Sequence, residues 1–344
     1  MQELIFTDDP AAALGRLLRS RTGRVFMLAD ENTAAFAPSI AGCTPVVVPA
    51  GDDNKTLKSA RIIWQAMVDG GATRLSTVVN FGGGMISDLG GFAAATFKRG
   101  ISFINVPTTL LAAVDAAVGG KTGINFAGLK NEIGVFREAD AVVISATYFS
   151  TLPRAELMSG YAEMVKHSLI ADAAGYGRLI AVDPAAIPPS AMLELLRDSV
   201  EIKRRIVSAD PSERGIRKAL NLGHTVGHAF EEFALLKSCP LPHGAAVAHG
   251  LLAEMVIANL CLGFPSDELY RYAAWLQANY APVRFTCDDY PQLLGLMAHD
   301  KKNASPDAIN FTLLAAPADP RIDCTATLSD ITAALDIFRD LLSC

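Results

Sequence analysis

Several things are scarce in this 344-residue chain, and each scarcity excludes something. Basic residues are outnumbered, 30 Lys and Arg against 36 Asp and Glu, for a net charge of −6. A polyanion needs a basic excess to bind to, so nucleic acid is not the expected partner, although a local basic pocket for a small anion remains open. The six cysteines (43, 239, 261, 287, 324 and 344) form no C-x-x-C pair and no closely spaced framework. Such usage fits reduced thiols in a cytosol. The opening residues, Met1 to Pro10, carry acids where a secretory signal needs bases, and no apolar segment follows them. The most apolar later run, Gly244 to Phe264, contains His249, Glu254 and Asn259, and reads as a buried helix rather than a membrane span. There is no internal repeat and no low-complexity segment. A cytoplasmic globular protein without a membrane partner is expected.

What is present is a large apolar fraction, 51%, enough for two cores of ordinary size and an apolar oligomer interface. The first part alternates short β-rich runs with helical ones. Arg24–Asp30, Pro45–Pro49, Arg74–Phe81, Ser102–Val106 and Ala141–Ser145 read as strands, and 54–70 and 85–95 as helices. This order implies right-handed crossovers and a mostly parallel sheet. After Thr151 the periodicity is helical (155–170 and 191–209), with one late strand at Ile309–Leu314. The expected organisation is an α/β Rossmann-like domain over 1–150 and a mainly α-helical domain over 151–344. Phe81-Gly-Gly-Gly84 feeds a helix, a joint that offers N–H groups to phosphate. The full dinucleotide fingerprint, G-x-G-x-x-G with an acid about 20 residues on, is missing. Acids close earlier strands instead, Asp30 and Asp52.

The chemistry-bearing stretch is Asn221-Leu-Gly-His-Thr-Val-Gly-His228. Read as a helix, it places His224 and His228 on one face, with Gly223 and Gly227 weakening it by about 1 kcal/mol each against Ala. Two such imidazoles suit a metal or an anion, and equally two hydrogen-bonded packing histidines. Pro240-Leu-Pro is a rigid approach that sets His243 near a helix N-terminus. Glu163 and Lys166 share a helix face; by themselves they read as a surface ion pair. One carboxylate, Glu163, with two imidazoles from His224, His228 and His243 would suit a catalytic zinc with an open position. Spacing alone does not choose the two. His167, His249 and His299 read as packing or surface residues. Lys121 and Lys130 lie in glycine-rich, small-residue settings that suit oxyanion binding, and Arg99 adds a cation. Lys203-Arg-Arg205 reads as a solvated face, although Lys203 and Arg217 flank a loop and can converge.

Taken together, these residues resemble the 3-dehydroquinate synthase family. The matching blocks are Gly82-Gly-Gly-Met-Ile-Ser-Asp88-Leu-Gly-Gly-Phe92, Arg99-Gly100, Val106-Pro-Thr-Thr-Leu-Leu111, Asp115 to Asn125, Lys130-Asn-Glu-Ile-Gly134, Glu163-Met-Val-Lys166, Arg217 to His228, and His243-Gly244. They follow the family order over about residues 25 to 303. The resemblance implies a Rossmann-like domain, a helical domain and an active site in the cleft between them. It implies zinc or cobalt on Glu163, His224 and His243, with His228 turned to substrate. NAD would meet Asp30, Asp52, Lys55, Gly82, Gly83, Gly84, Asp88, Thr108, Thr109, Asp115, Lys121, Lys130, Thr151 and Glu156. The substrate implied is a sugar acid phosphate. Its phosphate would meet Lys121, Asn131, Asn221 and His228, helped by Arg99 from the partner subunit of a homodimer. Lys203 and Arg217, with Lys301 or Lys302, would hold its carboxylate; Lys130, Glu156 and Lys166 would face hydroxyls or cofactor.

The chain departs from the family pattern in two places. Members often read Val-Asn-His-Pro-x-Gly-Lys-Asn where this chain has Ile124-Asn-Phe-Ala-Gly-Leu-Lys-Asn131, so a locally different loop is expected. Asp52 stands where glutamate is common. Rival readings are another sugar phosphate cyclase of the deoxy-scyllo-inosose or valiolone type, a metal-dependent polyol dehydrogenase that releases NADH, and a catalytically dead nucleotide- or metal-binding scaffold.

Overall fold

The computed structural model describes residues 2–298 and 308–342. The chain divides into two compact units, Met1–Pro153 with Pro188–Val200, and Arg154–Ile187 with Glu201–Cys344. The first contains β1 (Glu3–Phe6), α1 (Pro10–Arg19), β2 (Val25–Asp30), β3 (Cys43–Val48), α2 (Leu57–Asp69), β4 (Thr77–Gly82), α3 (Gly84–Thr96), β5 (Ser102–Pro107), β6 (Lys121–Phe126), β7 (Leu129–Phe136) and β8 (Ala141–Ile144). Six strands form one parallel sheet in the order β1-β8-β5-β4-β2-β3. The central strands β4 and β8 are buried at every position, as expected of a sheet covered on both faces. Pro45 is tolerated in β3 because that strand is an edge.

Helix α3 lies so close to the sheet that a Cβ on Gly90 would stand 2.0 Å from Asn80 Oδ1. That close approach accounts for the small residues of α3. Below it, Asn80 Nδ2 donates to Asn105 Oδ1 across β4 and β5 (2.8 Å).

Strands β6 and β7 form a separate antiparallel hairpin, and here the structure differs from the expected loop. Phe126 pairs with Leu129, so only Ala127 and Gly128 turn the chain, at φ 51° and 82°. Two central residues at positive φ make a tight turn whose twist matches its strands.

The second unit contains α4 (Arg154–Ala171), α5 (Ala173–Leu179), the end of α6 (Pro189–Ala209), α7 (His224–Leu236), α8 (His243–Leu262), α9 (Ser266–Asn279), α10 (Tyr290–Ala298), the antiparallel pair β9 (Ala308–Ala316) and β10 (Asp319–Thr327), and α11 (Leu328–Leu342). Helix α8 is long and apolar enough to cross a membrane, but 72% of its most apolar window is buried inside the fold. It packs against α4, α7, α9, α11 and β9, as a core helix does. Glycines permit the closest contacts: a Cβ on Gly244 would lie 1.9 Å from Ser159 O, and one on Gly250 2.1 Å from Gly223 O.

His249 of α8 is 1% exposed and packs against the Tyr280 and Phe338 rings. Its Nε2 lies 2.9 Å from Ala281 O, and its Nδ1 is buried with no hydrogen-bond partner among the described residues. Burial pushes its pKa down to about 4, against the opposing pull of the Ala281 carbonyl. The folded protein therefore keeps the ring neutral where the unfolded chain, with a pKa of 6.5, takes up a proton. Stability is complete above that unfolded value and falls as pH drops towards about 4. The expected loss from this one group is about 3 kcal/mol between pH 7 and pH 4. Denaturant titrations at both pH values check this, and His249→Gln should remove that part of the pH dependence.

Candidate functional site

In the second unit, α4 is buried without interruption from Met158 to Ile170. Glu163 and Lys166 are therefore interior residues in ion-pair contact, not the surface pair that their spacing suggested. The i,i+3 relation fixes that two groups meet; the packing around the helix decides whether water reaches them. Glu163 is 0% exposed, and among the described residues neither of its oxygens accepts a well-directed hydrogen bond. His167, also buried, has its Nε2 3.9 Å from Glu163 Oε2.

Two helices begin beside this carboxylate. His224 is the first residue of α7 and His243 the first of α8. The stretch read as one helix from Asn221 is in fact broken: Ile216–Asn221 is a short 3-10 turn, and Gly223 takes a left-handed conformation, φ 77°, just before α7. A side chain there would also meet Leu251 Cγ at 2.7 Å. His224 Nδ1 lies 3.1 Å from Leu222 O, and its Nε2 3.6 Å from Glu163 Oε1. A carbonyl can only accept, so Nδ1 carries the proton and Nε2 keeps its lone pair. His243 Nδ1 lies 3.0 Å from Glu231 Oε2, and its Nε2 4.0 Å from the same Glu163 oxygen.

Both Nε2–Oε1 spacings are near the roughly 3.4 Å that a tetrahedral metal about 2.1 Å from each ligand keeps between two of them, so these groups suit one ion. His228 joins the cluster, its ring centroid 5.2 Å from His224 and 5.8 Å from His243, and the three imidazoles offer nitrogens within 4.8 Å of one another. Glu163 and His228, both near His224 and His243, differ in burial. Glu163 is a sealed carboxylate lacking directed hydrogen bonds, whereas His228 is exposed. A buried charge needs a partner. Burial also holds His224 well below the usual imidazole pKa, aided by the positive charge of Lys166 and of the other two rings, so a lone pair is available at neutral pH.

In the first unit, the first turn of α3 after Gly83 has no side-chain cap. Its N–H groups, at the helix N-terminus, suit an anion. Lys55 is buried with its Nζ 3.1 Å from Asp52 Oδ1 and 3.2 Å from Asp88 Oδ2. Burial raises Asp88 to about 6; Lys55 opposes this, and Asp115 and Asp52 add to it. Thr108 N donates to Gly82 O, while its buried hydroxyl has no partner among the described residues. Thr109 Oγ1 caps the following turn by accepting from Ala112 N (3.1 Å). Asp30 Oδ1 accepts from Asn32 N, Thr33 N and Thr33 Oγ1, so that oxygen is engaged in its own turn. Lys121, Lys130 and Asn131 are exposed on the β6–β7 hairpin. Arg99 is exposed in a left-handed turn with Lys98. Thr151 is exposed and donates to Tyr148 O.

A family model described as 3-dehydroquinate synthase N-terminal matches residues 45–159, and one described as 3-dehydroquinate synthase C-terminal matches 160–303. A curated 3-dehydroquinate synthase from Parabacteroides distasonis is 45% identical over 347 residues, covering 98% of both chains. Another, from Rhodococcus opacus, is 40% identical over 295 residues, 85% of this chain and 78% of its own. The chain belongs to the 3-dehydroquinate synthase family. Among solved structures, a 2-deoxy-scyllo-inosose synthase complexed with carbaglucose-6-phosphate, NAD+ and Co2+ superposes with TM-score 0.85 at 22% identity, covering 98% of this chain and 96% of its own. A 2-epi-5-epi-valiolone synthase from Streptomyces hygroscopicus with NAD+ and Zn2+ bound gives 0.87 at 23%, covering 99% and 97%. These two establish the shared fold.

Within the 3-dehydroquinate synthase family models, the N-terminal match spans the glycine turn and the hairpin, and the C-terminal match spans Glu163, His224 and His243. Lys203 and Arg217 are buried in the second unit, not solvated. Arg217 Nη1 donates to Pro211 O (2.9 Å), and Asn221 Nδ2 donates to Glu213 Oε1 (3.2 Å). Glu156 is exposed in the first turn of α4. His299, Lys301 and Lys302 lie outside the described residues.

Sequence reasoning missed three supporting residues. Glu231 follows His224 by seven positions, so helical spacing places them on one face, a signal that stopping at His228 overlooked. Asn125 stitches the hairpin to the Asp52–Lys55 loop: its N donates to Lys55 O (2.7 Å), its Nδ2 to Asp52 O (2.9 Å), and its Oδ1 accepts from Asn131 N (2.9 Å). Glu254, 1% exposed on α8, accepts from Gly223 N (2.6 Å) and Val226 N (3.1 Å). It thereby caps α7, which has no side-chain cap from its own N-cap residue. Nothing local in the sequence marks the last of these. Glu254→Gln turns one of two acceptors into a donor facing an N–H, and should cost about 1–3 kcal/mol. Equilibrium unfolding of the variant against the wild type measures it.

Proposed function

We propose that this member of the family is a 3-dehydroquinate synthase in activity as well as ancestry. It converts 3-deoxy-D-arabino-heptulosonate 7-phosphate to 3-dehydroquinate and phosphate, a carbon–oxygen lyase step of the shikimate pathway. The observation that carries this reading is the 45% identity to a curated 3-dehydroquinate synthase along essentially all of both chains. Identity to the solved inosose and valiolone synthases is about half that, 22% and 23%. Lys203 and Arg217 also give this chain buried cations suited to a substrate carboxylate.

The residues fit the two cofactors named with those neighbours. Glu163, His224 and His243 would hold zinc or cobalt. The glycine turn, Asp52, Lys55 and Asp88 would hold NAD, with Asp30, Thr108, Thr109, Asp115, Thr151 and Glu156 completing its surroundings. When bound, NAD supplies a reversible hydride acceptor, and the metal a Lewis acid for the hydroxyl to be oxidised. The protein's own part is positioning and charge. Lys121, Asn131, Asn221 and His228 bind the phosphate and stabilise it as it leaves, helped by Arg99 from the partner subunit of a homodimer. Lys203 and Arg217 clamp the carboxylate, fixing which end of the chain faces the hydroxyls. Lys130 and Lys166 face the hydroxyls, and the buried Lys166–Glu163 pair holds a cation close to the metal ligands. Five described cysteines carry free thiols, which supports a reducing compartment, the cytoplasm.

The test is incubation of purified protein with the heptulosonate phosphate, zinc and catalytic NAD, following phosphate release and carbocycle formation. Release that needs stoichiometric NAD, or no release, would sink the reading. Steady NADH accumulation with a polyol would favour a dehydrogenase. Chelation should abolish turnover, and zinc or cobalt should restore it. Lys121→Ala and Arg217→Ala should each lower kcat/KM by roughly 10²-fold or more, with circular dichroism confirming that the variants fold.

A further inference from the structure

We propose that Glu231 is a positioning residue for His243, holding its imidazole in the tautomer and orientation that present Nε2 to the metal. The inference rests on the metal centre proposed above.

The two metal histidines are oriented by different means. His224 gives its Nδ1 proton to Leu222 O, a main-chain acceptor two residues away, and so is set by its own backbone. His243 opens α8 after Pro242, and its Nδ1 turns to Glu231 Oε2 at 3.0 Å, from a different helix. The His243 side chain is 32% exposed, so packing alone does not define its ring orientation. A half-turn of the ring about χ2 exchanges nitrogen and carbon positions at little steric cost. The carboxylate removes that ambiguity, because only a protonated Nδ1 satisfies it, and the lone pair is then confined to Nε2. Nε2 is the atom that faces Glu163 Oε1.

Glu231 also links the ligands mechanically. It lies two turns along the helix that His224 begins. The start of α7 and the first residue of α8 are thus linked by a carboxylate–imidazole contact in addition to the Glu254 cap. The carboxylate is 18% exposed, enough shielding for a charge-assisted bond to outcompete water. Its negative charge makes the imidazole a stronger donor, as carboxylates behind metal-bound histidines do. The rival account is that Glu231 merely ties α7 to α8. That account predicts lower stability with unchanged metal binding.

The experiment uses the full chain, freed of metal by chelation. Zinc affinity is measured by competition with a chromophoric chelator, and cobalt binding by its visible absorption, for wild type, Glu231→Ala, Glu231→Gln and Glu231→Asp, alongside melting of each apo-protein. Glu231→Ala should weaken zinc binding by roughly 10- to 100-fold and alter the cobalt spectrum, with little change in apo-protein melting. Glu231→Gln, which still accepts from Nδ1, should lose less, and if the alanine variant does not fold, the glutamine and aspartate variants decide. Zinc affinity and cobalt spectrum equal to wild type would overturn the proposal, as would a lower melting point with metal binding intact. His243→Ala should abolish tight binding in the same assay. Wild-type protein that holds no zinc would overturn the metal centre itself, an outcome distinct from a Glu231 variant that binds as well as wild type.

Discussion

A fully buried carboxylate sets the terms for the second unit. Taking an ionised Glu163 out of water costs several kcal/mol unless opposite charge and donors are placed around it. The chain answers with Lys166 on the same helix and with imidazole nitrogens from the starts of two other helices, 3.6 and 4.0 Å away. Helix N-termini carry partial positive charge, so α7 and α8 direct favourable potential at the carboxylate. The same geometry that makes the buried charge tolerable brings two imidazoles and a carboxylate close together.

That arrangement demands backbone precision, and residues other than these supply it. The left-handed Gly223 turns the chain sharply into α7. Glu254 reaches across from α8 to accept from the buried N–H groups of Gly223 and Val226 there. Gly244 and Gly250 let α8 lie against α4 and α7 at distances that no side chain permits. Helix α8 therefore carries His243, caps the helix that His224 begins, and packs against the helix that carries Glu163.

Much of this was legible in the sequence, and the failures have physical causes. The parallel strands were readable because buried β-branched runs between turn signals have few other meanings. The glycine turn and the start of α8 were readable because glycine and proline impose local geometry. The Glu163–Lys166 pair was misjudged because spacing reports adjacency and says nothing about solvent. The hairpin of β6 and β7 was missed because its lysines, asparagines and glycines mimic a loop composition, and Ala-Gly is a weaker turn signal than Asn-Gly. Between Asn221 and His228, continuous helix was inferred where Gly223 breaks it; periodicity cannot distinguish a weakened helix from two segments joined by a left-handed residue. Which two of His224, His228 and His243 join Glu163 is not written in their spacing, because exposure and ring orientation belong to the folded chain.

The brevity of the turn at Ala127 and Gly128 has one more effect. With two residues at the tip and Asn125 pinned to the neighbouring loop, the strand beyond has no freedom to slide. Successive side chains of a strand point to opposite sides, so one inserted residue here would exchange the outlooks of Lys130 and Asn131. The length of this bend, more than the identity of its residues, determines which functional group each side of the ribbon displays.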